Sequence, residues 1–362
     1  MSDIVISGYY GLGNSGDEAL LKSIVSDLRK ISPDVTVTAL SGNAQMTERK
    51  YNIATVGRFN VFSVFRELKK AKMLISGGGT LIQDATSTKS LLYYLGIIYL
   101  AKKLGLKIML YANGLGPIKD KNVKLVEKVL NKADVITLRE NISLDEIKRC
   151  NITKPEIHIT ADPAFNLVPS SEERLASLME KFNIPQDKPL IAVSVREWQG
   201  LKECFAEQIA SVLDNMCEKG YFPVFVPMQL SSDLNISLEI ANKMQHRSSI
   251  VDEEIEVSDM LGIIGKSDIA CGMRLHMLIF ASVMKIPMAG IVYDPKIKGF
   301  MDYMGQTTYV ELDNFSQKEF FDALVYCHEN KSEMKNILSQ NFDSFKKKAD
   351  ENAKLAVKLL KS

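Results

Sequence analysis

The chain has 362 residues, 46% apolar and 25% charged, with a formal net charge of +1. That length exceeds one ordinary core and fits two domains of roughly 150–180 residues, while the near-neutral charge argues against a dedicated nucleic-acid binder, which carries a basic excess. Cys150, Cys204, Cys217, Cys271 and Cys327 are widely spaced, odd in number and without a Cys-x-x-Cys pair, which predicts reduced thiols in a cytoplasm rather than disulfides or a zinc site.

Residues 1–6 run into an apolar strand, Ile4–Ser7, with no basic leader or long hydrophobic stretch, so no signal peptide is expected. After it come Gly8-Tyr-Tyr-Gly11-Leu-Gly13-Asn14-Ser-Gly16-Asp17-Glu18-Ala19 and a helical pattern over Asp17–Lys30. Gly11-x-Gly13-x-x-Gly16, between a strand and a helix, matches the dinucleotide-binding fingerprint. Two features oppose that reading. Asp17 and Glu18 stand where a pyrophosphate would meet the helix start, and the second strand, Val35–Leu40, ends in Ser41-Gly42 with no acid for a ribose. Asp17 or Glu18 is instead expected to cap the helix or to bond a neutral acceptor such as a sugar.

The strand Met73–Ser76 leads into Ser76-Gly77-Gly78-Gly79-Thr80, with Gln83-Asp84 close behind. In the helical segment Leu91–Leu104, an apolar run of 11 residues, Leu91–Ala101, is flanked by Lys89, Lys102 and Lys103. It is short of the ~20 residues needed to span a bilayer and reads as a buried core helix, with shallow docking on a membrane surface as the alternative. Strand Lys107–Ala112 is followed by Asn113-Gly114-Leu-Gly116-Pro117 and a helix over Lys121–Ala133. Val135–Leu138 is followed by Arg139-Glu140, and Ile157–Thr160 by the turn Asp162-Pro163-Ala164-Phe165.

The stretch Asn166–Lys188, with Pro169, Ser170, Ser171 and Pro185, is the expected boundary between domains at 1–168 and 186–330. Beyond it lie strands near Leu190–Val195, Phe222–Pro227, Ile269–Cys271 and Met288–Tyr293. Arg196-Glu197-Trp198 follows the first of these, where Arg196 and Trp198 stack on a sugar or anion or Arg196 pairs with Glu197. Gly272-Met-Arg274-Leu-His276 and Asp294-Pro295-Lys296 follow the last two. Lys331–Ser362 is a lysine-rich helical tail expected to pack back on the first domain. Strand-helix alternation of this kind is α/β: parallel sheets with helices on both faces.

Such sheets bind ligands beyond the carboxyl ends of their strands. Arg274 and His276 fall in the turn opening the helix Leu275–Met284, where unpaired N–H groups and the dipole favour an anion. Arginine offers a planar fork and histidine a proton near neutral pH. The basic groups and glycine loops on this rim describe a cleft for an anionic substrate. The four histidines are scattered, so no metal site is expected, and no nucleophile elbow or Walker loop is present.

Taken together, Gly8–Ala19, Ser76–Gly79, Asn113–Pro117, Leu138-Arg-Glu140, Ala161-Asp-Pro163 and Gly272–His276 resemble the polysaccharide pyruvyl transferases, most closely the CsaB-type enzymes of bacterial cell-wall polymer synthesis. The resemblance covers roughly residues 1–330. It implies two Rossmann-like domains facing across a cleft (GT-B-like), the first on the acceptor side and the second on the phosphoenolpyruvate side. It further implies transfer of a pyruvyl group from phosphoenolpyruvate, a co-substrate with no additional cofactor, onto two hydroxyls of one sugar. The acceptor expected is N-acetylmannosamine of a lipid-linked oligosaccharide whose polymer anchors S-layer proteins. The enzyme would then be cytoplasmic, at the inner face of the plasma membrane; a homo-oligomer is left open.

Carried over by motif, Arg139, Arg274, His276 and Lys296 bind the donor, with Lys298 as the alternative lysine. His276 gives a proton or orients phosphate. Asp17 or Glu18 receives the sugar and helps deprotonate it, and Gly13, Asn14, Gly78, Gly79 and Arg196 complete the substrate-binding set. Two rival readings remain at this level. A GT-B glycosyltransferase with a nucleotide-sugar donor shares the fold and basic cleft, and a non-catalytic binding subunit would leave His276 without a role.

Overall fold

Short runs of apolar and β-branched residues alternate with amphipathic helices along the whole chain, and every strand pairing they make is parallel. The computed structural model describes residues 2–85 and 87–362. They fall into two compact units, Met1–Asn166 with Phe345–Ser362, and Leu167–Ser344.

The first unit runs β1 (Ile4–Tyr10), α1 (Ser15–Ile31), β2 (Val37–Ser41), α2 (Ala44–Tyr51), β3 (Ala54–Gly57), α3 (Val61–Lys70), β4 (Met73–Ile82), α4 (Thr88–Lys103), β5 (Lys107–Leu115), α5 (Asp120–Leu130), β6 (Val135–Leu138), α6 (Ser143–Arg149) and β7 (Glu156–Ile159). Its sheet has the order β3-β2-β1-β4-β5-β6-β7, so the winding reverses between β1 and β4. One face packs on α3 to α6 through Val64, Leu68, Leu91, Leu95, Val126 and Ile147. The other packs on α1 and the chain's end through Leu21, Ile24, Leu28, Ala353 and Val357.

The second unit contains α7 (Glu172–Lys181), β8 (Leu190–Ser194), α8 (Phe205–Glu218), β9 (Phe222–Phe225), α9 (Leu230–Lys243), β10 (Ser249–Ile250), α10 (Val257–Gly265), β11 (Ile269–Gly272), α11 (Leu275–Val283), β12 (Met288–Val292), α12 (Pro295–Tyr303), β13 (Tyr309–Glu311) and α13 (Gln317–Glu329). The order β10-β9-β8-β11-β12-β13 places its reversal between β8 and β11. Helix α14 (Lys331–Lys361) follows.

The unit limits differ from 186–330 and 331–362. Residues 172–181, in the Pro- and Ser-rich stretch, form a helix that belongs to the second unit: Ser170 Oγ and the Arg174 guanidinium both bond Asp259. Helix α14 is divided. Asn341 Nδ2 donates to the Met304 carbonyl in the second unit. In the first, Asn352 bonds Thr160 and Ala161, and Asn166 bonds Asp350.

Acids at the amino edges of both sheets pin the strands. Asp3 accepts from Thr36 N and Lys72 Nζ, Asp134 from Ile108 N and Lys102 Nζ, and Asp268 from Leu190 N and Lys331 Nζ. The same residue type at the carboxyl edges has other partners. Helix α4 buries Leu91, Tyr94, Leu95, Ile98 and Ala101, which makes it a core helix. No described helix is long and apolar enough to cross a membrane.

Candidate functional site

At the first sheet's reversal, Asn14 is the N-cap of α1, and its Oδ1 accepts from Gly16 N (3.0 Å) and Asp17 N (3.2 Å). The Gly11 N–H donates to Glu18 Oε1 (2.7 Å), and the Tyr51 hydroxyl donates to Glu18 Oε2 (2.6 Å). The chain's own side chains thus occupy the N–H groups a pyrophosphate would use, which is the physical case against a dinucleotide. The cap is Asn14, not either acid. Glu18 is corrected from sugar ligand to internal brace, because it is buried with both oxygens engaged. Asp17 stays at the edge, half-buried.

Gly13 (φ 71°) shapes this loop. Gly78 and Gly79, both left-handed, cross beneath it. A Cβ on Gly78 would come within 2.9 Å of Leu20 Cβ, so this glycine serves strand-helix packing rather than substrate contact. A Cβ on Gly79 would stand 3.2 Å from Asp17 Oδ1; its absence lets that carboxylate lie over the end of β4. Asn113 is buried and donates to Ser76 O (2.9 Å) and Tyr111 O (3.0 Å), tying the neighbouring loop down.

Arg139, beyond β6, is buried and donates through Nη1 to Asp162 Oδ2 (2.6 Å), with Glu140 Oε2 3.9 Å from Nε. Burial opposes its charge, but Asp162 and then Glu140 outweigh that and hold the guanidinium above its ordinary pKa, with Asp17 adding to the effect. Three carboxylates around one cation leave this edge acidic. Arg139 is thus held by Asp162 at the acid-rich edge of the first unit, with only Nη1 used in that bond.

A second arginine here has no sequence motif. Arg58, beyond β3, is buried, donates to Gly8 O (3.3 Å) and Tyr94 Oη (3.2 Å), and has no acidic partner among the described residues. Its charge lies against the rings of Tyr93 (4.6 Å), Phe59 (5.2 Å), Tyr94 (5.5 Å) and Tyr9 (5.7 Å), a cation–π environment.

At the second sheet's reversal the chemistry is basic. Gly272 ends β11 so close to β8 that a Cβ would stand 2.0 Å from Ser194 O. Arg274, the N-cap of α11, makes no side-chain cap bond. Its guanidinium instead grips fully buried Asp233: Nε donates to Oδ2 (2.9 Å), Nη2 to Oδ1, and Nη2 also to Ser232 Oγ (2.8 Å). Asp233 is itself fixed by Gln229 N (3.0 Å). A bidentate pair of this sort orients the fork and leaves Nη1 outside those bonds. His276, in the first turn of α11, lies edge-on to Phe280 at 6.3 Å.

Arg196, beyond β8, donates to the Tyr293 hydroxyl (3.1 Å) and lies 5.1 Å from the Trp198 ring and 5.3 Å from that of Tyr293. The two rings are 4.5 Å apart. This aromatic clamp, and not a Glu197 carboxylate, positions Arg196; Glu197 contributes its backbone carbonyl. Of the two candidate lysines, Lys298 pairs with Glu311 (3.7 Å) and covers Tyr309, whereas Lys296 sits in the first turn of α12, its N–H capped by Asp294.

Two other features of the second unit lie at the opposite, amino-terminal edge. A shallow cavity of about 1110 Å³ there includes Lys188, Tyr221 and His246, but no switch-point residue. Beside it Asp214, Cys217 and His246 bring ligand-type atoms within 4.8 Å of one another. Their bonds explain the grouping: Asp214 closes the loop after α9 by accepting from Gln245 N, His246 N and His246 Nδ1. Burial pushes the Cys217 thiol up to about 11.

The polysaccharide pyruvyl transferase family model matches residues 14–295, a span that includes both switch points. Among solved structures, a glycosyltransferase from Rickettsia africae is 15% identical over 99% of this chain and 98% of that one, with a TM-score of 0.65. Anabaena HepE in complex with UDP-glucose is 10% identical over 98% and 99%, at 0.66. The UDP-GlcNAc 2-epimerase from Neisseria meningitidis, bound to UDP-GlcNAc, is 11% identical over 99% of both, at 0.66. These likenesses identify the fold as GT-B-like, an α/β architecture with two parallel Rossmann-like sheets. With well over half of its length matched, the chain belongs to the polysaccharide pyruvyl transferase family.

Proposed function

We propose that this transferase moves the pyruvyl group of phosphoenolpyruvate onto two hydroxyls of a single sugar, forming a cyclic ketal on a lipid-linked polysaccharide precursor. The observation that supports this reading is the division of charge between the switch points. Arg196, Arg274, His276 and Lys296 follow β8, β11 and β12 of the second unit, with Asp233 paired to Arg274, whereas Asp17, Glu140 and Asp162 follow strand ends of the first, with Arg139 paired to Asp162. A donor with a carboxylate and a phosphate suits the basic edge, and a neutral polyhydroxyl acceptor suits the acidic one.

In this reading Arg274, aimed by Asp233, holds the donor's anionic groups with Lys296 and Arg196. His276 gives a proton to the methylene carbon, producing an oxocarbenium-like centre. A sugar hydroxyl adds there as Asp17 draws off its proton. A second hydroxyl of the same sugar then displaces phosphate and closes the ring. Of the two hydroxyl protons, one replaces that given to the methylene and the other leaves with inorganic phosphate. N-acetylmannosamine is the acceptor sugar we favour, with the product destined for a cell-wall polymer that anchors S-layer proteins.

The test is phosphate release from phosphoenolpyruvate with and without a lipid-linked disaccharide containing N-acetylmannosamine, followed by mass analysis of the sugar. Acceptor-dependent release with one pyruvyl gained is the expected result. Transfer from a UDP-sugar with phosphoenolpyruvate inert would overturn the reading.

A further inference from the structure

Helix α3 turns apolar side chains to solvent. Val64 and Leu68, one helical turn apart, face the core, and Asn60 caps the helix through Ser63 N (3.1 Å). On the outer side Phe59, Val61, Phe62 and Phe65 are 75%, 71%, 90% and 42% exposed. Four large apolar side chains within seven residues form a patch rather than scatter, and such patches mark interaction surfaces. Arg66, Lys69 and Lys70 are exposed beside them. Over residues 58–72 there are five basic residues against one acid, Glu67.

We propose that this face docks on an anionic lipid bilayer. Phe59, Val61, Phe62 and Phe65 enter the acyl boundary, while Arg66, Lys69 and Lys70 meet the headgroups. An exposed apolar end with adjoining basic side chains is the chemistry of a helix lying in the membrane interface. A second copy of the chain fits less well, because a two-fold contact through this patch would bring two sets of like charges together.

The segment is also held in place. Arg58, locked among its four rings, roots it at the carboxyl end of β3, and Phe59 packs on Tyr93 at 5.9 Å. The patch therefore lies at the same sheet edge as Asp17. The docking surface stands without the assignment of substrates; only its use, presenting a lipid-linked acceptor to that edge, rests on the reading above.

The experiment is sedimentation of the full chain with phosphatidylcholine vesicles, with and without phosphatidylglycerol, in the absence of donor and acceptor. Binding to the anionic vesicles that weakens with salt is expected. Val61→Ser with Phe62→Ser should lower it by about 10–100-fold with an unchanged thermal melt. The same variant should keep its activity on a detergent-free soluble disaccharide and lose it on acceptor embedded in vesicles. No binding by the parent protein, equal binding by the variant, or a parent dimer that V61S/F62S dissociates would each overturn the proposal. Because vesicle binding is read without substrate, failure of the pyruvyl reading leaves it standing, and its own failure leaves that reading intact.

Discussion

Helices α1 and α11 each begin at the point where a parallel sheet reverses its winding, yet they treat their opening N–H groups differently. At α1, Asn14 fills the donors from within, Glu18 closes the loop behind it, and Asp17 adds negative charge where an anion would otherwise settle. At α11 the N-cap residue is an arginine, which has no acceptor to offer the opening N–H groups; its guanidinium lies on Asp233, and no acid lies in the first turn. One fold thus offers a filled, acidic helix start and an uncapped, basic one. A shared architecture does not decide what binds at a switch point; the two or three residues after each strand do.

The largest effects should come from the groups that move protons. His276→Ala is expected to lower kcat by about 10²–10⁴-fold while donor binding, followed by thermal shift with phosphoenolpyruvate, persists. Near-normal turnover would remove the histidine from the chemistry and break the contrast at its basic side. On the acidic side Asp17→Asn should reduce kcat by a similar order. Glu18→Gln should act mainly on stability, by roughly 1–3 kcal/mol, since it weakens a buried brace. If the two acids behaved alike in kcat, the distinction drawn between them would be wrong.

Asp233→Ala comes next. Removing one partner of a buried pair leaves the other charge uncompensated, at about 3–5 kcal/mol. Urea unfolding should register that loss, and Asp233→Asn should fold while raising the KM for phosphoenolpyruvate more than it lowers kcat, as expected of a positioning residue. A variant with wild-type KM would show that the fork needs no aiming. Smaller again is the aromatic clamp. Trp198→Ala takes away one face of the Arg196 site, worth about 0.5–2 kcal/mol. A rise of roughly 2–30-fold in KM with little change in kcat is the expected reading from saturation kinetics.

How much of this the sequence discloses depends on the distance over which each feature is written. Gly11 to Glu18 and Arg274 to His276 are contiguous, so strand-end position and residue type are enough to pick them out. Asp233 lies 41 residues before its partner, at the start of α9, and nothing local distinguishes it from an ordinary first-turn acid. Arg58 is hidden for the opposite reason: its partners are rings and a carbonyl, which leave no charge pattern to notice. Arg139 and Glu18 are legible as polar residues in the right loops but not as residues paired with Asp162 and Tyr51, because those partners come from other elements. The strands that escape detection, β3, β10 and β13, are short and lie at or near sheet edges with partly exposed residues, so they lack the continuous apolar run that marks a buried parallel strand.

The weakest predicted effect separates carboxylates that hold strands from those that line a site. Asp3, at the amino edge, accepts from Lys72 Nζ (2.8 Å) and from the Thr36 hydroxyl (2.8 Å) and N–H (3.1 Å). Lys72 first and Thr36 next bring its pKa down from 3.8 to about 2. A carboxyl depressed on folding contributes stability that is fully present above its unfolded pKa and disappears as pH falls through the folded one. The window is therefore from near pH 4 down to about 2. Lys72 is largely exposed, so solvent screening limits the contribution to no more than about 1 kcal/mol. In Lys72→Met the urea midpoint should fall slightly at neutral pH, and the two proteins should converge as the pH approaches 2. Glu18, braced by a backbone N–H and a tyrosine rather than by a surface lysine, should show no such dependence on Lys72. A gap between parent and variant that widened on acidification would mean that Lys72 acts on the strand ends through something other than the Asp3 carboxylate.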